Sequence, residues 1–318
     1  HISFHTEVFC KGCERRWSQR IIRLAIRRKA MKKSFVTVLL VMFALFSVMA
    51  NGGKEIPVQA TEAPQAAPAP VVEEKVEEVK KLVLSPESIE RNNDIKIVYT
   101  PIHGTGGKLI PDALRAIGFT NIINVPEQDV ISGDFPTVIS PNPEEPAALN
   151  LAINRAIETD ADIVMATDPD SDRIGTAIRD DKGEFILVNG NQTFLLCLYY
   201  LMTRRQELGL LTGKEFVVKT IVTTELAKKI ADIKGIEIYD SYTGFKWIAE
   251  IIRRNEGVKK YIGGGEESYG FLAGDFVRDK DAVSACTLFA EIAAWARDNG
   301  KTVYELLQDI YLEYGYSN

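Results

Sequence analysis

The residues best placed to do chemistry in this chain are Asp168-Pro169-Asp170-Ser171-Asp172-Arg173. Three carboxylates at alternate positions repel one another unless a positive charge neutralises them. A hard divalent cation with oxygen ligands does this, and Mg²⁺ suits a site that also handles phosphate. An EF-hand loop starts with the same Asp spacing, but it requires Gly at its sixth position and Glu at its twelfth. Arg173 and Arg179 stand there instead, so that reading fails. A solvated acidic turn is the plainer alternative.

The flanks decide where such a loop would sit. Ala161 to Thr167 reads as a buried strand and Ile174 to Ile178 as another. The acids then occupy a tight loop at a strand end, where an α/β domain usually places its chemistry.

The loop has company. Tyr99-Thr100-Pro101-Ile102-His103-Gly104-Thr105-Gly106-Gly107 and Ser140-Pro141-Asn142-Pro143-Glu144 precede it. Thr243-Gly244-Phe245-Lys246-Trp247, Gly265-Glu266-Glu267-Ser268-Tyr269-Gly270 and Arg278-Asp279-Lys280-Asp281 follow. In this order and at these separations they resemble the α-D-phosphohexomutase family, specifically its phosphoglucomutase/phosphomannomutase members. The resemblance runs from Leu84 to the C-terminus, about three quarters of the chain.

The resemblance implies an enzyme that moves a phosphoryl group between the 1- and 6-hydroxyls of a hexose phosphate through a bisphosphate. Asp168, Asp170 and Asp172 are then the Mg²⁺ ligands, and Arg173 steadies the transferring phosphoryl group. Glu266 and Ser268 grip sugar hydroxyls, Lys280 is the general acid/base candidate, and Lys246 and Arg278 contact anions. These roles suit phosphoryl transfer, which needs positioning and charge neutralisation more than covalent chemistry from the protein. The partners implied are hexose phosphate and hexose bisphosphate.

The chain departs from the family pattern in two respects. No Ser-His-Asn-Pro, the family's phosphoserine motif, occurs in it. The Arg-, Ser-, Gly- and Thr-rich phosphate loop of the family's fourth domain is also absent. Losing a nucleophile costs orders of magnitude in rate even where binding survives. The alternative expectation is therefore a catalytically incomplete segment that binds Mg²⁺ and sugar phosphate, with the missing mutase domains supplied in trans. A scaffold anchored in the cell envelope is a further rival.

From Asp94 onward, strand and helix signals alternate. The glycine-rich loop at His103–Gly107 either turns backbone N–H groups toward a phosphate or makes a tight turn. Glu145 to Thr159 has apolar residues at helical spacing. Gly190 to Leu208 reads as a long helix, Glu215 to Ile221 as a strand, and Thr223 to Ile233 as a helix with its start. Ile236 to Tyr239 is a strand, and Thr243 is the expected cap of a helix from Phe245 to Arg254. That puts Lys246 against the helix dipole, a conflict an anionic ligand would relieve. Tyr261-Ile262 reads as a strand, and Gly263 to Gly265 as part of a glycine-rich turn carrying two acids. An apolar helix follows from Ala282 to Ala296, and a last helix from Val303 to Tyr314.

The fold class expected is two tandem α/β domains with mixed sheets between helices, behind a signal-like helix and a disordered linker. The boundaries read as 1–50 for the leader, 51–83 for the linker, 84–189 for a metal-binding domain, 190–302 for a sugar-binding domain and 303–318 for a connecting helix.

The chain has 318 residues and a formal charge of −6, which argues against nucleic acid as a partner. The first 33 residues are strongly basic, so the remainder is more acidic than the total. Met31, Lys32-Lys33 and the apolar run from Phe35 to Met49 read as a secretory signal. The run is short of the ~20 apolar residues of a spanning helix, so a membrane is a partner only if segment 34–50 is used. Thirty residues precede Met31, which makes Met31 a candidate start. A gene fusion, a frame error or a mis-assembled sequence explains this order as well as an exported protein does. The Ala/Pro-rich stretch Ala60 to Pro70 is an extended linker, and Val71 to Lys81 a short charged helix. Cys10 and Cys13 lack a second pair at zinc-finger spacing. Cys197 and Cys286 fall in apolar helical patterns as core thiols. The lack of a disulfide framework favours a reducing compartment, and the resemblance implies a cytoplasmic mutase-like body, with export or membrane anchoring through segment 31–50 as the alternative.

Overall fold

The computed structural model describes residues 69–316, with side chains from Glu73 onward. The signal-like segment, the Cys10–Cys13 pair and most of the linker lie outside the described residues. Among the described residues no helix is long and apolar enough to cross a membrane.

The charged helix read at Val71–Lys81 is present as α1, Ala69–Lys80. It is not a loose tether: Val79 is buried, and Lys75 Nζ pairs with Asp281 Oδ1 at 3.0 Å. A short helix, α2 (Pro86–Arg91), starts with Pro at its first turn, where a missing N–H costs nothing.

The first sheet comprises β1 (Lys96–Thr100), β2 (Asn121–Asn124), β3 (Ile163–Thr167), β4 (Ile174–Arg179) and β5 (Phe185–Val188). Its order is β2-β1-β3-β4-β5. The first three strands run parallel, β4 pairs antiparallel with β3, and β5 pairs antiparallel with β4. Helices α3 (Gly106–Ile117), α4 (Pro126–Asp129) and α5 (Pro146–Thr159) make the parallel crossovers. β3 is buried at every position, which is why it reads as a continuous apolar run.

The second sheet contains β6 (Glu215–Thr220), β7 (Glu237–Ser241), β8 (Lys260–Gly265) and β9 (Phe271–Ala273), in the order β7-β6-β8-β9. β6, β7 and β8 are parallel, and β9 closes the edge antiparallel. Its helices are α6 (Gly190–Glu207), α7 (Leu226–Lys234) and α8 (Phe245–Asn255). Then come α9 (Ala282–Asp298) and α10 (Val303–Tyr314). The expected pair of mixed α/β sheets is thus present.

α9 is buried around nearly its whole circumference, as an all-round apolar helix must be. One apolar core takes Ile97, Tyr99 and Met165 from the first sheet, Val217 and Ile262 from the second, and the α9 side chains between them. Cys197 and Cys286 are buried free thiols within it.

Two local readings need correction. Gly263, Gly264 and Gly265 are strand residues, not a turn. A Cβ on Gly264 would stand 2.3 Å from the Val218 carbonyl oxygen, so the close approach of β6 requires glycine. Gly244, at φ +99°, is the N-cap of α8 in place of Thr243. β5 and β9 were not foreseen; β9 has only three residues, too few for a period-two pattern to register.

Candidate active site

The acidic loop lies between β3 and β4, as its flanks require. Ser171 turns it, with φ +59°, a left-handed conformation that a non-glycine residue holds only where the surroundings impose it. Asp168 is 1% exposed. Its Oδ1 accepts the Asp172 and Arg173 backbone N–H groups at 3.0 Å each. Its Oδ2 takes Arg173 Nε at 2.7 Å. Arg173 then reaches Glu144 Oε1 through a terminal nitrogen at 3.0 Å. The guanidinium is therefore aimed by two carboxylates from different segments, which its forked geometry permits.

One carboxylate oxygen from each of Asp168, Asp170 and Asp172 lies within 4.8 Å of the others. Asp170 is exposed and takes no hydrogen bond from a described residue. Partial burial pushes the Asp172 carboxyl up to about 6, against the hydrogen bond from Lys280, with Asp168 and Asp170 adding to the rise. Three converging carboxylate oxygens, one of which feels the negative charge of the other two, fit a hard divalent cation.

Lys280 closes the other side. Its Nζ lies 2.8 Å from Asp172 Oδ2 and 5.9 Å from the Phe245 ring centre. Burial lowers its proton affinity, but Asp172, then Asp279 and Glu266, outweigh that and raise it. Its stem crosses Gly270, where a Cβ would stand 2.2 Å from Lys280 Cδ.

The loop after β8 carries the hydroxyl-recognition candidates. Glu266 is buried, and its Oε1 accepts the Gly244 N–H at 2.8 Å. Part of this carboxylate therefore holds the entrance of α8, a partner that sequence reasoning did not supply. Ser268 is half-buried beside it. Tyr269, at φ +67°, is a second left-handed residue in the site.

Sequence reasoning gathered residues whose positions now differ. Asp168, Asp170, Asp172, Arg173, Lys280 and Glu266 share one neighbourhood. Lys246 is exposed in the first turn of α8, with Nζ 5.3 Å from the Trp247 ring centre. Arg278 donates to the Asp275 carbonyl oxygen and pairs with Glu256 at 3.4 Å, next to the opposite end of α8. An anion contact from Arg278 would require it to exchange these partners.

The glycine-rich loop after β1 buttresses the acidic loop. Thr105 N–H donates to the Pro169 carbonyl at 2.9 Å. His103 is buried and bonds Val130 O and Thr137 Oγ1 at 2.8 Å each. Its ring is thereby committed to holding two loops together.

Family models decide which proteins this arrangement belongs with. The model for phosphoglucomutase/phosphomannomutase, alpha/beta/alpha domain II, matches residues 72–183. The model for domain III of the same proteins matches residues 189–314. The chain belongs to the α-D-phosphohexomutase family. Phosphoglucomutase of Staphylococcus haemolyticus is 37% identical over 223 residues, covering 70% of this chain and 40% of that protein. Phosphoglucomutase of Staphylococcus saprophyticus is 37% identical over 248 residues, covering 77% of this chain and 44% of that protein. The chain thus spans about two fifths of the length of these curated phosphohexomutases.

Solved phosphohexomutase structures share the fold. A phosphoglucomutase/phosphomannomutase family protein from Burkholderia thailandensis superposes with a TM-score of 0.59 at 20% identity, over 76% of this chain and 46% of that one. The open form of parafusin, a phosphoglucomutase from Paramecium, gives 0.57 at 18% identity, over 78% and 42%.

Proposed function

We propose that this chain supplies the metal-binding and sugar-recognition surface for phosphoryl transfer between the 1- and 6-hydroxyls of a hexose phosphate. The observation that carries this reading is Lys280. It lies 2.8 Å from Asp172 of the acidic loop and within electrostatic reach of Glu266 on the loop after β8. One cation thus joins a metal-binding cluster to a hydroxyl-accepting carboxylate.

In this reading Asp168, Asp170 and Asp172 hold Mg²⁺, which neutralises phosphoryl oxygens when bound. Arg173, steadied by Asp168 and Glu144, supports the charge of the transferring group. Glu266 and Ser268 receive sugar hydroxyls, for which an ionised carboxylate is a strong acceptor. Lys280 is positioned to give or take a proton at a sugar oxygen. Lys246, in the first turn of α8, offers a cation where the helix dipole already favours an anion, and Arg278 is the further anion contact. The substrates are hexose phosphate and hexose bisphosphate. A reducing cytoplasmic setting suits the free thiols of Cys197 and Cys286.

The test is conversion of glucose 1-phosphate to glucose 6-phosphate by the full 318-residue chain, with Mg²⁺ and a trace of glucose 1,6-bisphosphate. Calorimetric binding of glucose 1-phosphate is measured alongside. Turnover that Asp170→Ala abolishes establishes the mutase reading. Mg²⁺-dependent binding without turnover selects the binding-only alternative. Neither binding nor turnover, beside an active full-length phosphoglucomutase, overturns both.

A further inference from the structure

The loop that carries Glu266 and Ser268 is pinned through the residue between them. Glu267 is half-buried and turns inward. Its Oε2 accepts from Thr220 Oγ1 at 2.8 Å and from Thr223 Oγ1 at 3.2 Å. The two hydroxyl oxygens are themselves 2.7 Å apart. Two hydroxyl protons serve three oxygen–oxygen contacts, so whichever way they turn, the carboxylate keeps a donor.

Thr220 is the last residue of β6, and Thr223 stands in the turn that follows. The turn is in turn fixed from below. Lys219 is fully buried, and its Nζ donates to the Thr220 and Thr223 carbonyl oxygens at 3.2 and 3.1 Å. Its charge is balanced by Glu225 at 2.8 Å and Asp240 at 3.0 Å. A buried ammonium is tolerated only with such partners. Lys219 therefore holds the backbone of the same two residues whose hydroxyls hold Glu267.

The backbone of Glu267 is also in close contact with α6. A Cβ on Gly190, the first residue of α6, would lie 1.7 Å from the Glu267 carbonyl oxygen. Glu267 is thus held through its side chain by Thr220 and Thr223 and through its main chain by the close approach of Gly190. Held at both points, it sets where its sequence neighbours Glu266 and Ser268 stand.

We propose that Glu267 is a positioning residue for hexose-phosphate recognition, acting through Thr220 and Thr223 on the backing of Lys219, without touching the sugar. This rests on the reading of Glu266 and Ser268 as hydroxyl-binding groups. A rival role for Glu267 is direct sugar contact, and another is stability alone.

The experiment uses the full chain with Thr220→Val, Thr220→Ser, Glu267→Ala and Glu267→Gln. Two quantities are measured: the dissociation constant for glucose 1-phosphate with Mg²⁺, and hydrogen-exchange protection of the amides of residues 266–270. Thr220→Val and Glu267→Ala should weaken binding by about ten-fold and release those amides. Thr220→Ser and Glu267→Gln, which keep the hydroxyl and the accepting oxygen, should restore both. If Glu267→Gln binds as poorly as Glu267→Ala while Thr220→Val binds normally, Glu267 is a sugar contact and the proposal is wrong. If the variants lower the unfolding temperature with affinity and loop protection unchanged, the role is stability only and the proposal is equally wrong. If the unaltered chain binds no glucose 1-phosphate, the functional reading falls. Exchange then decides the anchoring by itself: release confined to Thr220→Val and Glu267→Ala supports it, and uniform protection overturns it.

Discussion

Arg173 and Gly270 pair as a single antiparallel bridge between the start of β4 and the end of the loop after β8. The Ile174 N–H donates to the Tyr269 carbonyl at 3.1 Å within the same seam, and the Ala282 N–H donates to the Ser171 carbonyl at 3.1 Å. The acidic loop and the loop after β8 are thus joined through main chain, with Lys280 laid across Gly270 to reach Asp172.

The acidic cluster separates into a carboxylate that folding ignores and a carboxylate it depends on. Asp170 is exposed, so Asp170→Ala should leave the unfolding temperature nearly unchanged. It should weaken Mg²⁺ binding by at least about ten-fold, since losing even an outer partner of a ligand costs that much. Asp168→Asn should instead destabilise the fold by on the order of 3 kcal/mol, because it breaks a buried pair with Arg173. Calorimetric Mg²⁺ titration and urea unfolding of both variants check the contrast.

Arg173 touches Asp168 and Glu144 through different nitrogens. A lysine presents one point charge and cannot span both. Arg173→Lys should therefore keep the fold to within about 1 kcal/mol while lowering affinity for glucose 1-phosphate and any turnover. Equal affinity in the two proteins would show that aiming of the guanidinium is unimportant.

At Gly190 an added methyl meets backbone rather than a movable side chain. Gly190→Ala should cost about 1–3 kcal/mol through overpacking, despite the better helix propensity of Ala. It should also weaken glucose 1-phosphate binding by shifting the loop. Urea midpoints and calorimetry measure the two effects.

Glu291 on α9 gives a pH signature away from the site. Its Oε1 accepts the Leu84 N–H at 2.6 Å, the Ser85 N–H at 2.5 Å and the Tyr200 hydroxyl at 2.8 Å. Burial pushes its carboxyl from 4.5 up to about 7, against these hydrogen bonds and the nearby Arg204. Arg205, its other charged neighbour, has its own proton affinity lowered by burial. The folded chain then keeps a proton that the unfolded chain has released. This group's contribution is complete below pH 4.5 and is lost as the pH rises to about 7. Glu291→Gln should remove that slope, on the order of 3 kcal/mol across the window. Urea midpoints for both proteins between about pH 4.5 and about pH 8 test it.

Much of this was legible in the sequence because the informative residues sit where local rules are strong. β3 is buried throughout and reads as a strand; its acidic sequel must then be a loop. The helices carry their periodicity, and α10 carries a capping box at Thr302 and Glu305. What escaped is set by tertiary pairing. Gly263–Gly265 has no intrinsic preference for a strand, yet β6 and β9 on either side make it one. The turn of Arg278 toward Glu256, and of Glu267 toward Thr220, depends on which face of a loop meets the body. No spacing rule encodes that. Glu144 was visible in a motif, but only the fold brings it to Arg173.

The Arg173–Gly270 seam has a consequence for how this surface changes over evolutionary time. Two loops sewn together by main chain cannot be re-angled like the jaws of a clamp. In the proposed reading, sugar preference is then retuned by exchanging side chains on a fixed floor, and the motion that admits or turns a substrate comes from elements outside that floor.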